Sequence, residues 1–114
     1  MTVPHKPAIF GILFALWALS PSEARAQRRA QTSFQARGCC PWCEENMVNA
    51  LEGEEVLKIR WDQTTERMTV VYRTRKITSE EIQRRIAFAG HDTDAFPAPD
   101  SAYLALPACC RYRD

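Results

Sequence analysis

Cys40-Pro41-Trp42-Cys43 sets two thiols three positions apart, and Cys39 adds a third directly before them. Two thiolates at this spacing can face one point. They suit three kinds of chemistry: disulfide exchange, capture of a soft metal ion, or a covalent staple. The chain has five cysteines. Three stand at 39, 40 and 43, two at 109 and 110, with none between. Neighbouring cysteines bridge each other only with strain, because a disulfide needs Cα atoms about 4.4–6.8 Å apart with matched Cβ vectors. The odd number leaves at least one thiol unpaired within a monomer. Soft ligands clustered at two ends of a domain describe a thiol site better than a set of staples.

These thiols need elements to hold them. "TSFQAR" (32–37) alternates Phe34 and Ala36 with polar neighbours and is a candidate strand. Gly38 is expected to allow the tight turn into the cysteine loop. Pro41 suits the first turn of a helix, where its missing N–H costs nothing. Cys43, Met47, Ala50 and Leu51 then form one apolar stripe at helical spacing. Glu44 and Glu45 favour the same helix start through its dipole. Cys43 therefore falls in the first helical turn and Cys40 on the loop before it. The dipole stabilises a thiolate there. Trp42 is expected to shield the loop.

"EVLKIRWD" alternates Leu57, Ile59 and Trp61 with Lys58, Arg60 and Asp62. "RMTVVYR" places Met68, Val70 and Tyr72 on one face. With the polar turn "DQTTE" between them, the two runs predict a hairpin. "ITSEEIQRRIAFAG" predicts a second helix. Thr78 is its N-cap, Glu81 completes a capping box, and Ile77 and Ile82 are spaced for a hydrophobic staple. Ile82, Ile86 and Ala89 make its inward stripe, and Gly90 is its stop. Ala95-Phe96 is a candidate last strand, limited by Pro97 and Pro99. Asp100 is placed to cap a short helix that Pro107 ends. The order is that of an α+β, ferredoxin-like βαββαβ sandwich, with two helices on one face of an antiparallel sheet. An irregular tail carrying Cys109 and Cys110 follows.

The first 26 residues read differently. A basic start (His5, Lys6), the apolar run "AIFGILFALWALS" and small residues at Ala24 and Ala26 follow the order of a secretory signal peptide cut after Ala26. The run is short of the roughly 20 residues that span a bilayer, so stable membrane insertion is not expected after cleavage. The expected organisation is a signal peptide (1–26), a flexible leader (27–31), one domain (32–96) and a tail (97–114). The 15 basic and 14 acidic side chains become 13 of each when Lys6, Arg25 and Glu23 leave with the signal. A neutral balance offers no phosphate-tracking surface, so nucleic acid is excluded as the expected partner.

A CxxC at the start of the first helix, the hairpin "VLKIRWD…MTVVY" and a second helix ending "AFAGHD" together resemble the heavy-metal-associated domain. That family includes periplasmic mercury-binding proteins and copper chaperones. The resemblance spans roughly residues 32–96, and the tail "LPACCRYR" resembles an exported subgroup ending in paired cysteines. It implies that Cys40 and Cys43 are the metal ligands. The family loop reads G-M-T/N-C-x-x-C. Here one residue, Cys39, separates Gly38 from the first ligand, and the loop methionine is absent. Where the family often has an aromatic residue after "AG", this chain has His91.

The expected function is an exported, non-enzymatic carrier of a soft ion, Cu(I) or Hg(II), with Zn(II) or Cd(II) as further options. Few ligands keep such a site open to a partner's thiols, whereas a closed four-ligand zinc site favours retention. The expected partners are a metal transporter or another metal-binding domain, and the expected state is a monomer, periplasmic or otherwise exported. Cys39, His91, Cys109 and Cys110 are auxiliary candidates. His91 is either a third ligand, a hydrogen-bond donor beside the metal, or an exposed loop histidine. Cys109 and Cys110 either fold back to add thiolates, bridge to Cys39, or stand apart as a structural disulfide or exposed thiols. The alternative function is a thiol–disulfide oxidoreductase using Cys-Pro-Trp-Cys, a motif that resembles the dithiol of thioredoxin- and glutaredoxin-like proteins. No downstream proline loop of the kind those enzymes use to receive substrate is found. A third reading is an interaction module held by disulfides.

Overall fold

Phe34, Trp61, Met68 and Val70 come from three different strands and bury on the same side of one sheet. They define the architecture of the computed structural model, which describes residues 28–113. The expected signal peptide lies outside the described residues. The strands are β1 (Arg29–Gln35), β2 (Val56–Asp62) and β3 (Arg67–Arg73), and the sheet order is β1-β3-β2, antiparallel throughout. Helices α1 (Pro41–Ala50) and α2 (Ser79–Phe88) supply Cys43, Met47, Ile82 and Ile86 to the core, and Leu51 at the end of α1 adds to it. The helices therefore cover one face. Gln31, Lys58, Arg60, Thr69 and Val71 line a shallow depression on the sheet. They alternate with the core residues of the strands and so lie on the opposite face.

This arrangement is compatible with a ferredoxin-like sandwich, and it differs from the expectation at several points. The strand candidate at Ala95-Phe96 does not form. What pairs with the end of β1 is a single bridge, Ala36 to Thr93. Thr93 instead closes a tight turn onto Phe96, and prolines at 97 and 99 remove the donors a strand would need. Strand β1 starts at Arg29, so residues 29–31 of the expected leader are paired with Val71–Arg73. In β2 a register shift between Val56 and Lys58 leaves Leu57 without a partner. A bulge of this kind changes which side chain faces inward, and Val56, Ile59 and Trp61 pack on the core in place of Leu57, Ile59 and Trp61. Finally, Ala87 joins Ile82 and Ile86 among the buried residues of α2, while Ala89 is the C-cap.

The start of α2 follows the predicted chemistry. The Thr78 hydroxyl accepts from Glu81 N–H at 3.1 Å, and Ile77 and Ile82 are both buried. The Glu81 carboxylate turns to Arg84 instead of closing the reciprocal half of the box. Gly90 ends the helix at φ +113°, and a β-carbon there would press on Leu106 and the Ala102 carbonyl. The glycine thus both turns the chain and admits α3 (Asp100–Leu104). Asp100 is the first residue of α3, not its cap, and its carboxylate pairs with Arg113.

The tail is tied down. Arg113 donates to both Asp92 oxygens, at 2.6 and 3.2 Å, and to the Ala98 carbonyl at 2.9 Å, while stacking over Tyr103. The Tyr112 hydroxyl donates to Gly90 O and accepts from Asp92 N–H, both at 2.7 Å. Partial burial opposes ionisation of Asp92, but Arg113 prevails and holds its carboxyl below the ordinary 3.8. Burial pushes the Tyr112 phenol up to about 12. Because the Asp92 shift is downward, its contribution is complete above pH 3.8 and is lost as pH falls through the lowered value. Asp92→Asn is expected to lower stability by roughly 1–3 kcal/mol, measured by urea unfolding at neutral pH. It should also remove that acid-range loss, and an unchanged midpoint would contradict this account of the tail.

Candidate metal centre

Gly38 is pinned before the thiols begin. Its N–H donates to the Glu66 carboxylate at 3.0 Å, and Arg37 pairs with the same oxygen at 3.3 Å. A β-carbon on Gly38 would stand 3.0 Å from Cys43 Cβ and 3.1 Å from the Trp61 ring. The glycine is needed for close approach, not for the turn conformation expected from the sequence. Glu66 itself sits at φ +58° in the β2–β3 turn. Asp62 holds that turn by accepting from Thr64 and Thr65 N–H. Gln63 donates across to Cys39 O at 3.3 Å. The hairpin end thus braces the cysteine loop.

Cys40 is the N-cap of α1 with extended backbone, Pro41 opens the helix, and Cys43 N–H donates to Cys40 O at 3.0 Å. The two sulfurs are 3.5 Å apart. Cys43 is fully buried and Cys40 is half-buried. Trp42 does not shield them. It is 42% exposed and stands on the surface beside the loop.

The tail brings the remaining thiols to the same place. After Pro107 a short 3₁₀ turn, Ala108–Cys110, carries the pair back to the loop. Cys110 is joined to Cys40 by a disulfide, with Cα atoms 6.1 Å apart. The sequence offered Cys39 as the partner of such a bridge, and the structure corrects this. Cys39 is exposed and free, and its thiol donates to Cys109 O at 3.2 Å. Cys109 is also exposed and free, and Cys43 is free but buried. The sulfurs form two triads, Cys39–Cys40–Cys43 and Cys40–Cys109–Cys110, each with members within 4.8 Å of one another. Desolvation, and then the neighbouring Cys43 and Cys109, push the Cys39 thiol above its ordinary value.

His91 stands apart from both triads. It is fully buried, which the exposed-loop alternative did not anticipate. Nδ1 donates to Arg37 O at 2.8 Å, and Nε2 accepts from the Asn46 amide at 3.1 Å. The second Asn46 hydrogen goes to Ala89 O. These partners fix one neutral tautomer and occupy both ring nitrogens, so His91 joins α1, the end of α2 and the segment before Gly38 instead of offering a lone pair to an ion. Sequence reasoning missed Asn46, Glu66 and Tyr112. The available signal was that Asn46 lies one helical turn beyond Cys43.

No family model matches the chain, and no curated protein matches it. Among solved structures, a CopZ metallochaperone is similar, with a TM-score of 0.53 at 20% identity, over 56% of this chain and 98% of that one. At that identity the likeness is one of fold. Nearly all of the neighbour is matched by just over half of this chain, so this chain carries substantial sequence that the neighbour lacks.

Burial holds His91 below its ordinary 6.5, against the opposing pull of Arg37 O and Asp92. The unfolded chain therefore takes up a proton first, and this contribution is complete above pH 6.5 and is lost as pH falls toward the depressed value. Urea midpoints are expected to drop as pH falls below 6.5. His91→Gln is expected to flatten that dependence. A midpoint in the wild-type protein that does not change between pH 7.5 and 5 would refute the buried neutral tautomer.

Proposed function

We propose that this chain is a non-enzymatic carrier of a soft metal ion. It captures Cu(I), or alternatively Hg(II), between Cys40 and Cys43 and passes it on by exchange with a partner's thiols. The observation that carries this reading is the pair of sulfurs 3.5 Å apart at the first turn of α1. Thiolates select soft ions, and a helix N-terminus favours the thiolate form. The fold likeness to a CopZ metallochaperone supports the same reading. Zn(II) and Cd(II) fit a thiol-rich site less selectively.

Cys40 must first be released from Cys110. Two equivalents of a thiol reductant, or one dithiol, take up the bridge as their own disulfide and leave Cys40 and Cys110 as thiols. Trp42, Cys39 and Cys109 are exposed around the loop. An incoming partner, a metal transporter or a second metal-binding domain, meets thiols before it reaches the buried Cys43. We place this work in the periplasm, on the strength of the signal-like first 26 residues, with a monomer as the working form.

The Cys40–Cys110 bridge also favours a second reading, thiol–disulfide exchange with client proteins. In that case a client thiolate attacks the bridge at Cys40 or Cys110, freeing the other cysteine as a thiol. The client's second thiol resolves the mixed disulfide, so the client leaves oxidised and the bridge reduced. In the reverse direction Cys40 attacks a client disulfide and Cys43, beside it, resolves the mixed disulfide. The two readings separate in one set of measurements. The reduced protein is expected to take up Cu(I), with uptake abolished in Cys40→Ser/Cys43→Ser, and to show no catalytic turnover in insulin reduction. Unchanged Cu(I) affinity in the double variant sinks the site assignment. Sustained insulin turnover in the absence of uptake replaces the carrier by the oxidoreductase.

A further inference from the structure

The five cysteine sulfurs divide into two pairs about one of them. Cys39 and Cys43 gather on Cys40 as one triad, and Cys109 and Cys110 gather on Cys40 as another. No four of the five come within the same 4.8 Å of one another. That division decides what the assembly can hold. With metal–sulfur distances of about 2.3 Å, three thiolates around one ion stand about 4 Å from each other, and four thiolates in a tetrahedron stand about 3.8 Å apart. The first triad lies within reach of the first requirement. The second comes within reach once reduction lets the bonded Cys40 and Cys110 sulfurs move apart, and no set of four is gathered within the same distance. A single closed four-thiolate ion is therefore disfavoured, and two three-coordinate ions sharing Cys40 are geometrically available.

We propose that the reduced protein binds two soft monovalent ions of the Cu(I) class as one thiolate-bridged pair. Cys39, Cys40 and Cys43 hold the first, and Cys40, Cys109 and Cys110 hold the second. This rests on the carrier reading above and extends it from one ion to two, with the tail supplying half of the site. A thiolate sulfur has enough lone pairs to bridge two ions, and soft sulfur ligands select Cu(I). The loading balances as follows. The Cys40–Cys110 bridge takes two electrons and two protons from a dithiol, which leaves as a disulfide. Five thiols and two Cu(I) ions then give a five-thiolate, two-copper cluster of charge −3 and release five protons.

Two structural features support the tail as a ligand arm. Arg113 on Asp92 and Tyr112 on Gly90 anchor the chain immediately after Cys110 without using any cysteine. The thiol contact from Cys39 to Cys109 O already brings loop and tail to 3.2 Å across the seam between the triads. The tail is therefore held beside the loop by contacts that do not depend on the disulfide.

The test is stoichiometry in the full-length protein, reduced and kept free of oxygen. It is titrated with Cu(I) supplied as its acetonitrile complex against a chromophoric competitor. Native mass spectrometry reads the ions carried by the monomer, and X-ray absorption reads the coordination. Two ions per monomer, three sulfurs per copper and a copper–copper vector are expected. Cys109→Ser/Cys110→Ser is expected to carry one ion. The milder Cys109→Ser changes only an exposed residue, and is expected to weaken the second ion at least tenfold while leaving the first unchanged. One ion in the wild-type protein, two ions retained in Cys109→Ser/Cys110→Ser, or copper found only in metal-bridged dimers would each overturn the inference while leaving the single-ion carrier intact. No uptake at all would overturn both.

Discussion

The Asp92 carboxylate is the point to which the end of the chain is tied. It accepts from Arg113 through both oxygens and from Ala98 N–H, and its own backbone N–H donates to the Tyr112 hydroxyl. A guanidinium and a carboxylate that meet this closely in a partly dry setting stabilise each other far more than a surface pair does. The consequence is positional. Asp92 follows the turn at Gly90 and His91, and His91 reaches the segment just before the cysteine loop. Tying the tail to Asp92 brings Cys109 and Cys110 to that loop.

The loop is held equally firmly from the other side. The β2–β3 turn presents Glu66 to Gly38, and Trp61 packs where a larger residue at 38 would have to sit. The Trp61 indole donates to Ala36 O at 3.0 Å, fixing the strand end that leads into the thiols. Cys43 lies in the core beneath, one turn from Met47. One cysteine of the pair is thus part of the packed interior, and the other sits at its edge. Under the proposed carrier role, an ion held there would have one fixed anchor and one anchor near solvent, an arrangement suited to stepwise release.

Much of this was legible in the residue pattern, and the exceptions have physical causes. The helices and the hairpin announce themselves by apolar period, and the Thr78 cap by its chemistry, because these depend on residues close in sequence. The bulge at Leu57 is decided by pairing with Val71 and Tyr72 on another strand, so alternation within β2 alone placed Leu57 inward. The extra length of β1 comes from backbone pairing of Arg29–Gln31, residues whose polarity gives no strand signal. His91 was open to either a ligand or an exposed role because nothing local reveals that Asn46 and Arg37 O would enclose it. The closeness of Cys40 and Cys43 at the start of α1 was legible from spacing and helix position. Which cysteine the tail would reach was not, since that depends on where Arg113 and Tyr112 find partners.

The bridge between Cys40 and Cys110 also closes a ring. Its ends are 70 residues apart in sequence, so it encloses every described element from α1 to the tail and leaves only β1 outside. Closing a ring of that size removes conformational freedom from the unfolded chain worth about 4 kcal/mol in the chain-entropy account. Opening it to free Cys40 gives that freedom back. The reduced, empty protein is then the most easily unfolded of its forms, and the one most open to proteolysis. Under the proposed two-ion loading, an ion shared between loop and tail would close the ring again with coordinate bonds and offset that loss.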